Sequence, residues 1–300
     1  MMGKNHARMG LALGLGIGMT VGLSPESLTI GVVLASGFSV FSDLDHPDSG
    51  VSRCMGLLSR SMAKGISWMA GGHRNGTHSF FGAAVFTLIG FGATAIYAED
   101  SGLLAIGGGI AAALVMAGWL VAKWLNRGRR PGRAYARRWH GWIAGGVLVM
   151  LGAAMAFAGH LFGRTAGAWM LGFLMALSLA ALLRAWLPIK RMLERVKIAC
   201  GLLDDVLPFL IAWALISSGI DLTVVPYALT AGILIHIAGD APTVQGCPLG
   251  WPRSQRNVGP PWRFTTNSGA ERWLGRGFLV VTGGLLLLYL QVPQSLLALN

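Results

Sequence analysis

The chain has 300 residues, of which 54% are hydrophobic and only 12% charged, and its formal net charge is +12. Soluble domains carry about 25% charged residues, so this composition excludes an ordinary soluble globule and points to an all-α, polytopic transmembrane bundle. The excess of cations invites a nucleic-acid reading. In a membrane protein, however, Lys and Arg collect in cytoplasmic loops, and no specific nucleic-acid partner is expected.

Residues 7–23 form a first apolar run and residues 28–41 a second, with Ser24-Pro25-Glu26-Ser27 as the turn between them. The first run is read as a retained span, because no Ala-x-Ala cleavage pattern follows it. The two make a hairpin, which returns residue 43 to the face where residue 6 lies. Over residues 51–70, Arg53, Arg60 and Lys64 share one helical face, while Met55, Leu58, Met62, Ile66 and Met69 supply the other. Such a helix either lies in the cytoplasmic interface or packs on the bundle as a loop helix.

Spans are expected at residues 78–98 and 102–125, then a basic loop over 123–140 carrying Arg127, Arg129, Arg130, Arg133, Arg137 and Arg138. Residues 141–160 and 165–187 form the next pair, residues 188–205 are polar and basic, and residues 206–220 and 224–239 form another pair. Residues 241–276 read as a polar loop and 277–291 as the last span, which makes about nine spans in one membrane-embedded domain. An odd number puts the termini on opposite sides. Of the 24 Lys and Arg, only Arg164 falls on the side away from His6. The positive-inside rule then makes the N-terminus cytoplasmic and the C-terminus external.

The same alternation brings the chemistry-bearing residues to the cytoplasmic face: His6, Asp43, Asp45, His46, His73, His78, His236 and Asp240. His236 and Asp240 sit at i and i+4, one turn apart on a helix face. Asp43-Leu44-Asp45-His46 packs two carboxylates and an imidazole together, and like charges so close repel unless a cation or proton lies between them. His73 and His78 are five apart, so at least one lies on loop, with Asn75-Gly76 as the turn and Thr77 or Ser79 as a helix cap. Imidazole and carboxylate together suit zinc, manganese or iron. Several such stretches on one face imply two or three divalent ions sharing carboxylates. No HExxH is present. The three cysteines, Cys54, Cys200 and Cys247, show no paired spacing.

His6, DLDHP at 43–47, GHRNGTHS at 72–79 and HIAGDAPTVQGCPLGWP at 236–252 resemble the motifs of the YdjM-type family, inner-membrane proteins regarded as metal-dependent hydrolases. The family reads DxDH, GHRxxTHS and HxxxDxxTxxG followed by Trp-Pro. Thr243, Gly246 and Trp251-Pro252 fill those last positions here. The motif-bearing parts are residues 1–100 and 225–300, and residues 102–224 read as additional spans. The family is distantly similar to zinc-dependent phospholipase C and P1-type nucleases. That similarity implies a divalent metal, zinc foremost, and hydrolysis of a phosphoester, a phospholipid or related compound, at the inner leaflet.

On this resemblance His6, Asp43, Asp45, His73, His78, His236 and Asp240 are metal ligands. His46 is a ligand or its neighbour, and with Arg74 and Thr77 serves the reaction. Arg74 stabilises developing negative charge, while Thr77, Ser79 and Thr243 orient ligands. The rival is a non-enzymatic metal-binding membrane protein, such as a transporter or a stress-induced envelope factor. A transporter places ionisable residues near the bilayer midplane, whereas these gather at one surface.

Overall fold

A computed structural model describes residues 1–53, 56–127, 138–186 and 197–291. The described residues form ten α-helices and no strands. In order the helices are α1 (Gly3–Thr20), α2 (Pro25–Phe38), α3 (Gly56–Ala70), α4 (Phe80–Ala98), α5 (Ser101–Leu125), α6 (Arg138–Phe162), α7 (Arg164–Trp186), α8 (Lys197–Ser217), α9 (Val224–Asp240) and α10 (Gly269–Gln291). Short 3-10 turns, Phe41–Asp45, Val51–Arg53 and Gly76–His78, lie between α2 and α4.

Local chemistry sets several boundaries. Ser24 accepts a hydrogen bond from the Ser27 amide and Pro25 stands at the first helical position, so α2 starts where the hairpin requires. Ser79 caps α4 by accepting from the Gly82 amide. Glu99 ends that helix in a left-handed conformation, and Asp100 caps α5.

α2 lies at the centre of the bundle, packed by α1, α7 and α9, while α4 packs against α5, α7 and α9. The approach of α2 to α7 is close. A Cβ on Gly37 would lie 2.2 Å from the Ser178 carbonyl oxygen, and the Ser178 hydroxyl bonds the Leu34 carbonyl at 3.0 Å. Small residues and hydroxyls serve this purpose between membrane helices, where lipid removes the hydrophobic drive for association.

Among the described residues, five helical stretches are long and apolar enough to cross a membrane: Pro25–Asp45, Phe80–Ala98, Ser101–Leu125, Arg164–Trp186 and Gly269–Gln291. Val149–Phe162, Val206–Ser217 and Val224–Asp240 are apolar but shorter. α5 and α10 expose most of their surface, including Leu104, Met116, Leu120, Val280, Leu287 and Leu290. An apolar surface of this extent is one that lipid covers.

Three expectations are corrected. Of the helix expected over 51–70, residues 51–53 form a 3-10 turn instead, where the side chains of Ser49 and Ser52 bond backbone and each other, and α3 covers Gly56–Ala70. α8 begins at Lys197, well before residue 206, because polarity ends an apolar run without ending a helix. α10 begins at Gly269 instead of residue 277, because buried Glu271 gives its first turn a partner in α1. The basic loop at 128–137 and the polar stretch at 187–196 lie outside the described residues.

Candidate metal centre

The ends of several elements meet at one end of the bundle. α1 brings His6 in its first turn, and the segment after α2 brings Asp43 and Asp45. The turn before α4 brings His78, and the last turn of α9 brings His236 and Asp240. His6, Asp45, His78, His236 and Asp240 are all fully buried.

The hydrogen bonds fix which nitrogens are free. His236 Nδ1 lies 2.7 Å from the Ser39 carbonyl oxygen, which can only accept, so this nitrogen carries the proton. Nε2 then presents a lone pair. The Thr77 hydroxyl donates to Asp45 Oδ2, leaving its oxygen to accept from His78 Nδ1 at 3.0 Å. In these neutral tautomers His78 Nε2 also presents a lone pair, and it lies 3.1 Å from His236 Nε2.

Two carboxylate oxygens complete the set. Asp43 Oδ1 is 3.7 Å from His78 Nε2 and 3.8 Å from His236 Nε2. Asp240 Oδ2 is 3.5 Å and 3.8 Å from the same nitrogens. Asp43 Oδ1 and the two imidazole Nε2 atoms thus face one another with no proton among them, while Asp240 Oδ2 stands beside both nitrogens and is paired with the Arg74 guanidinium. That arrangement is unfavourable unless a cation joins it. Tetrahedral zinc with ligands at about 2.0–2.1 Å has ligand-to-ligand edges of about 3.3 Å. The separations among Asp43, His78 and His236 are of that scale, and a donor set of two imidazoles and a carboxylate fits a divalent metal. His6, His236 and Asp240 form a second, overlapping group of potential donors.

His6 is held on the cluster from both sides. Its ring stacks on His236, with centroids 3.8 Å apart, and its Nε2 lies 3.1 Å from Asp240 Oδ1. The Met1 amine also pairs with Asp240 Oδ1. Gly239 leaves room for this ring, since a Cβ there would come within 3.0 Å of His6 Nδ1.

Asp45 and His73 stand beside the cluster. Both Asp45 oxygens are occupied: Oδ1 by His73 Nδ1 at 2.7 Å, and Oδ2 by the Arg74 amide at 3.1 Å and by Thr77. His73 is one-third exposed at the mouth, where its ring meets that of His46 edge-on. His46 Nδ1 accepts from the Asp48 amide. The Arg74 guanidinium reaches inward to Asp240 Oδ2 at 3.2 Å and Thr243 Oγ1 at 3.4 Å. Its backbone is left-handed, with φ 62°. Ser79 touches none of the donor atoms; its contacts are the Gly76 carbonyl and the α4 cap.

Several contributors are not evident from the sequence. Ser39 acts through a backbone carbonyl, which no motif reports. Glu271 accepts from the Met2 amide, Asn5 and the Asn267 amide, and so ties α10 to the α1 turn bearing His6. Its one signal is a lone carboxylate within a basic, polar stretch. Cys247 is buried nearby, and burial together with Asp240 pushes its thiol up to about 12, so it stays protonated at neutral pH.

An all-helical membrane protein with a buried histidine–carboxylate cluster at one end of its bundle is the class that this fold and site define. The chain belongs to the YdjM inner membrane protein family, whose model matches residues 1–189 and 205–296. The likeness therefore includes residues 102–189 as well as the motif-bearing ends. No curated protein and no solved structure matches the chain.

Proposed function

We propose that this protein is a metal-dependent hydrolase of the inner membrane that cleaves a phosphoester at the cytoplasmic leaflet, with zinc as the metal. The observation that carries the reading is the set of facing lone-pair donors Asp43, His78 and His236, with Asp240 beside them and the two imidazole tautomers set by Ser39 and Thr77. His6 supplements them. When bound, such a cation supplies a water nucleophile at neutral pH and polarises the scissile ester.

The remaining residues divide the other tasks. Asp45 orients His73 through Nδ1, leaving the other ring nitrogen at the mouth to take up or deliver a proton. The Arg74 guanidinium, already paired with a buried carboxylate, meets the negative charge of a phosphoryl group. Thr243 fixes Arg74 and closes the last turn of α9 through the Asp240 carbonyl. His46 limits the movement of the His73 ring.

The placement of the cluster at helix ends favours an enzyme working at a membrane surface over a transporter, which needs its site near mid-bilayer. The cation asymmetry of the sequence supports nine crossings and a cytoplasmic site. Metal analysis of protein purified in mild detergent, with hydrolysis assays on a phosphodiester and on phospholipids using the same sample, tests the reading. Protein that carries no divalent metal and cleaves none of these substrates would refute it.

A further inference from the structure

Beside the cluster, α3 and α4 line a cavity of about 220 Å³ together with Leu151 of α6 and Trp251. Phe81, Val85 and Ile89 line it from successive turns of α4, so it follows that helix for about 12 Å at 1.5 Å per residue. Ile66 and Met69 of α3 form the opposite wall. Thr77 contributes the one side-chain hydroxyl to the lining, and that hydroxyl is already donated to Asp45. A polar occupant would therefore find nothing to bond along the walls.

The cavity abuts the metal centre: Gly76 and Thr77 line it, and the Thr77 hydroxyl is bonded to Asp45 and to His78 Nδ1. At this end stands Trp251, which is 4% exposed and packs its ring 5.6 Å from that of Phe81. Its indole N–H is buried with no acceptor among the described residues. A buried donor without an acceptor is costly. An occupant is thus an amphiphile with an apolar tail along α4, since a negatively charged end is matched only beyond Thr77, where Arg74 lies. α4 is one of the helices able to cross the membrane, so the amphiphile at hand is lipid.

Resting on the hydrolase reading above, we propose that this cavity holds one acyl chain of a membrane lipid, whose phosphate-bearing head lies beyond Thr77, toward Arg74 and the metal centre. The substrate class is then a glycerophospholipid rather than a soluble phosphoester.

The test is photo-crosslinking of the full chain in phosphatidylethanolamine vesicles, with phosphatidylglycerol carrying a diazirine midway along one acyl chain. Labels mapped by mass spectrometry should concentrate on Met69, Phe81, Val85 and Ile89. Ile89→Trp, which fills the cavity, should lower that labelling at least tenfold relative to labelling of the exposed α5 residues Leu104 and Leu120, which report an intact bundle. Val85→Phe adds less volume and should lower it in the same direction. Labels spread over α5 and α10 with no enrichment in the cavity, or cavity labelling unchanged by both substitutions, would overturn the proposal. The readout needs no turnover. Cavity labelling without hydrolysis of any phosphoester discards the hydrolase reading and keeps the acyl site. Hydrolysis of a soluble phosphodiester without cavity labelling discards the acyl site alone.

Discussion

His6 lies flat on His236, the two rings 13° from parallel, although one begins the first helix and the other closes the ninth. Their shared neighbour is Asp240, which receives His6 Nε2 and sits one turn beyond His236. Removing either helix end would open the cluster, so the N-terminal turn is part of the site. His236→Ala and Asp240→Ala should each reduce bound metal by more than tenfold and abolish hydrolysis, with normal protein abundance in the membrane. His6→Ala should have a smaller effect in the same direction. Elemental analysis of the purified variants decides it; unchanged metal in both of the first two would make the pair structural.

Thr77 holds no donor atom of the cluster, yet it determines which His78 nitrogen is free. Thr77→Val keeps the shape and removes the hydroxyl. Groups that orient a metal ligand contribute about 10–100-fold to affinity, and a loss of that size is expected here, with Thr77→Ser restoring most of it. A metal-binding titration against a competing chelator measures both. Equal affinity in Thr77→Val would show that His78 needs no such relay.

Arg74 occupies a left-handed backbone position, which costs a side-chain-bearing residue about 1–2 kcal/mol. Arg74→Gly relieves that strain and Arg74→Ala does not. The glycine variant should therefore be the more stable of the two by about 1 kcal/mol, while both lose hydrolysis alike. Denaturant titration gives the first quantity and kcat/KM the second. Retained activity in either variant would remove Arg74 from the reaction.

Glu271 is fully buried, with both oxygens engaged by groups on α1 and on the turn before α10. Glu271→Ala leaves those donors without acceptors, at about 1–3 kcal/mol for a buried polar group. Stability should fall by that amount, and proteolysis should reach the α1 end first. Glu271→Gln keeps the oxygen that accepts from Asn5 and should lose less. Identical behaviour of the two variants would contradict the clamp.

Topology has its own measurement. A reporter fused after Asn300 should read outside the cytoplasm, and one inserted at residues 127–133 should read inside. Both on one side would refute nine crossings and reopen the orientation of the site.

Composition and hydrophobic runs determined the class: a chain this apolar, with its cations in clusters, has to fold as helices in a membrane. The spacing of Ser24-Pro25 was enough to place residues 6 and 43 at one end, because antiparallel helices return to the face they left. The residue types of the cluster were legible for the same reason, since His and Asp at membrane helix ends are too costly to be incidental. Their division of labour was not. Asp45 and Asp43 are two residues apart in an identical-looking motif. Tertiary packing turns Asp45 toward His73, Thr77 and the Arg74 amide, and leaves Asp43 facing His78 and His236. The tautomer of His236 depends on the carbonyl of Ser39, a backbone group that every residue carries and no pattern of side chains distinguishes. The start of α10 depends on whether Glu271 finds a partner, and that partner lies at the other end of the chain. Hydrogen-bond directions and long-range pairings belong to the folded arrangement, whereas periodicity and charge cost are properties of the chain.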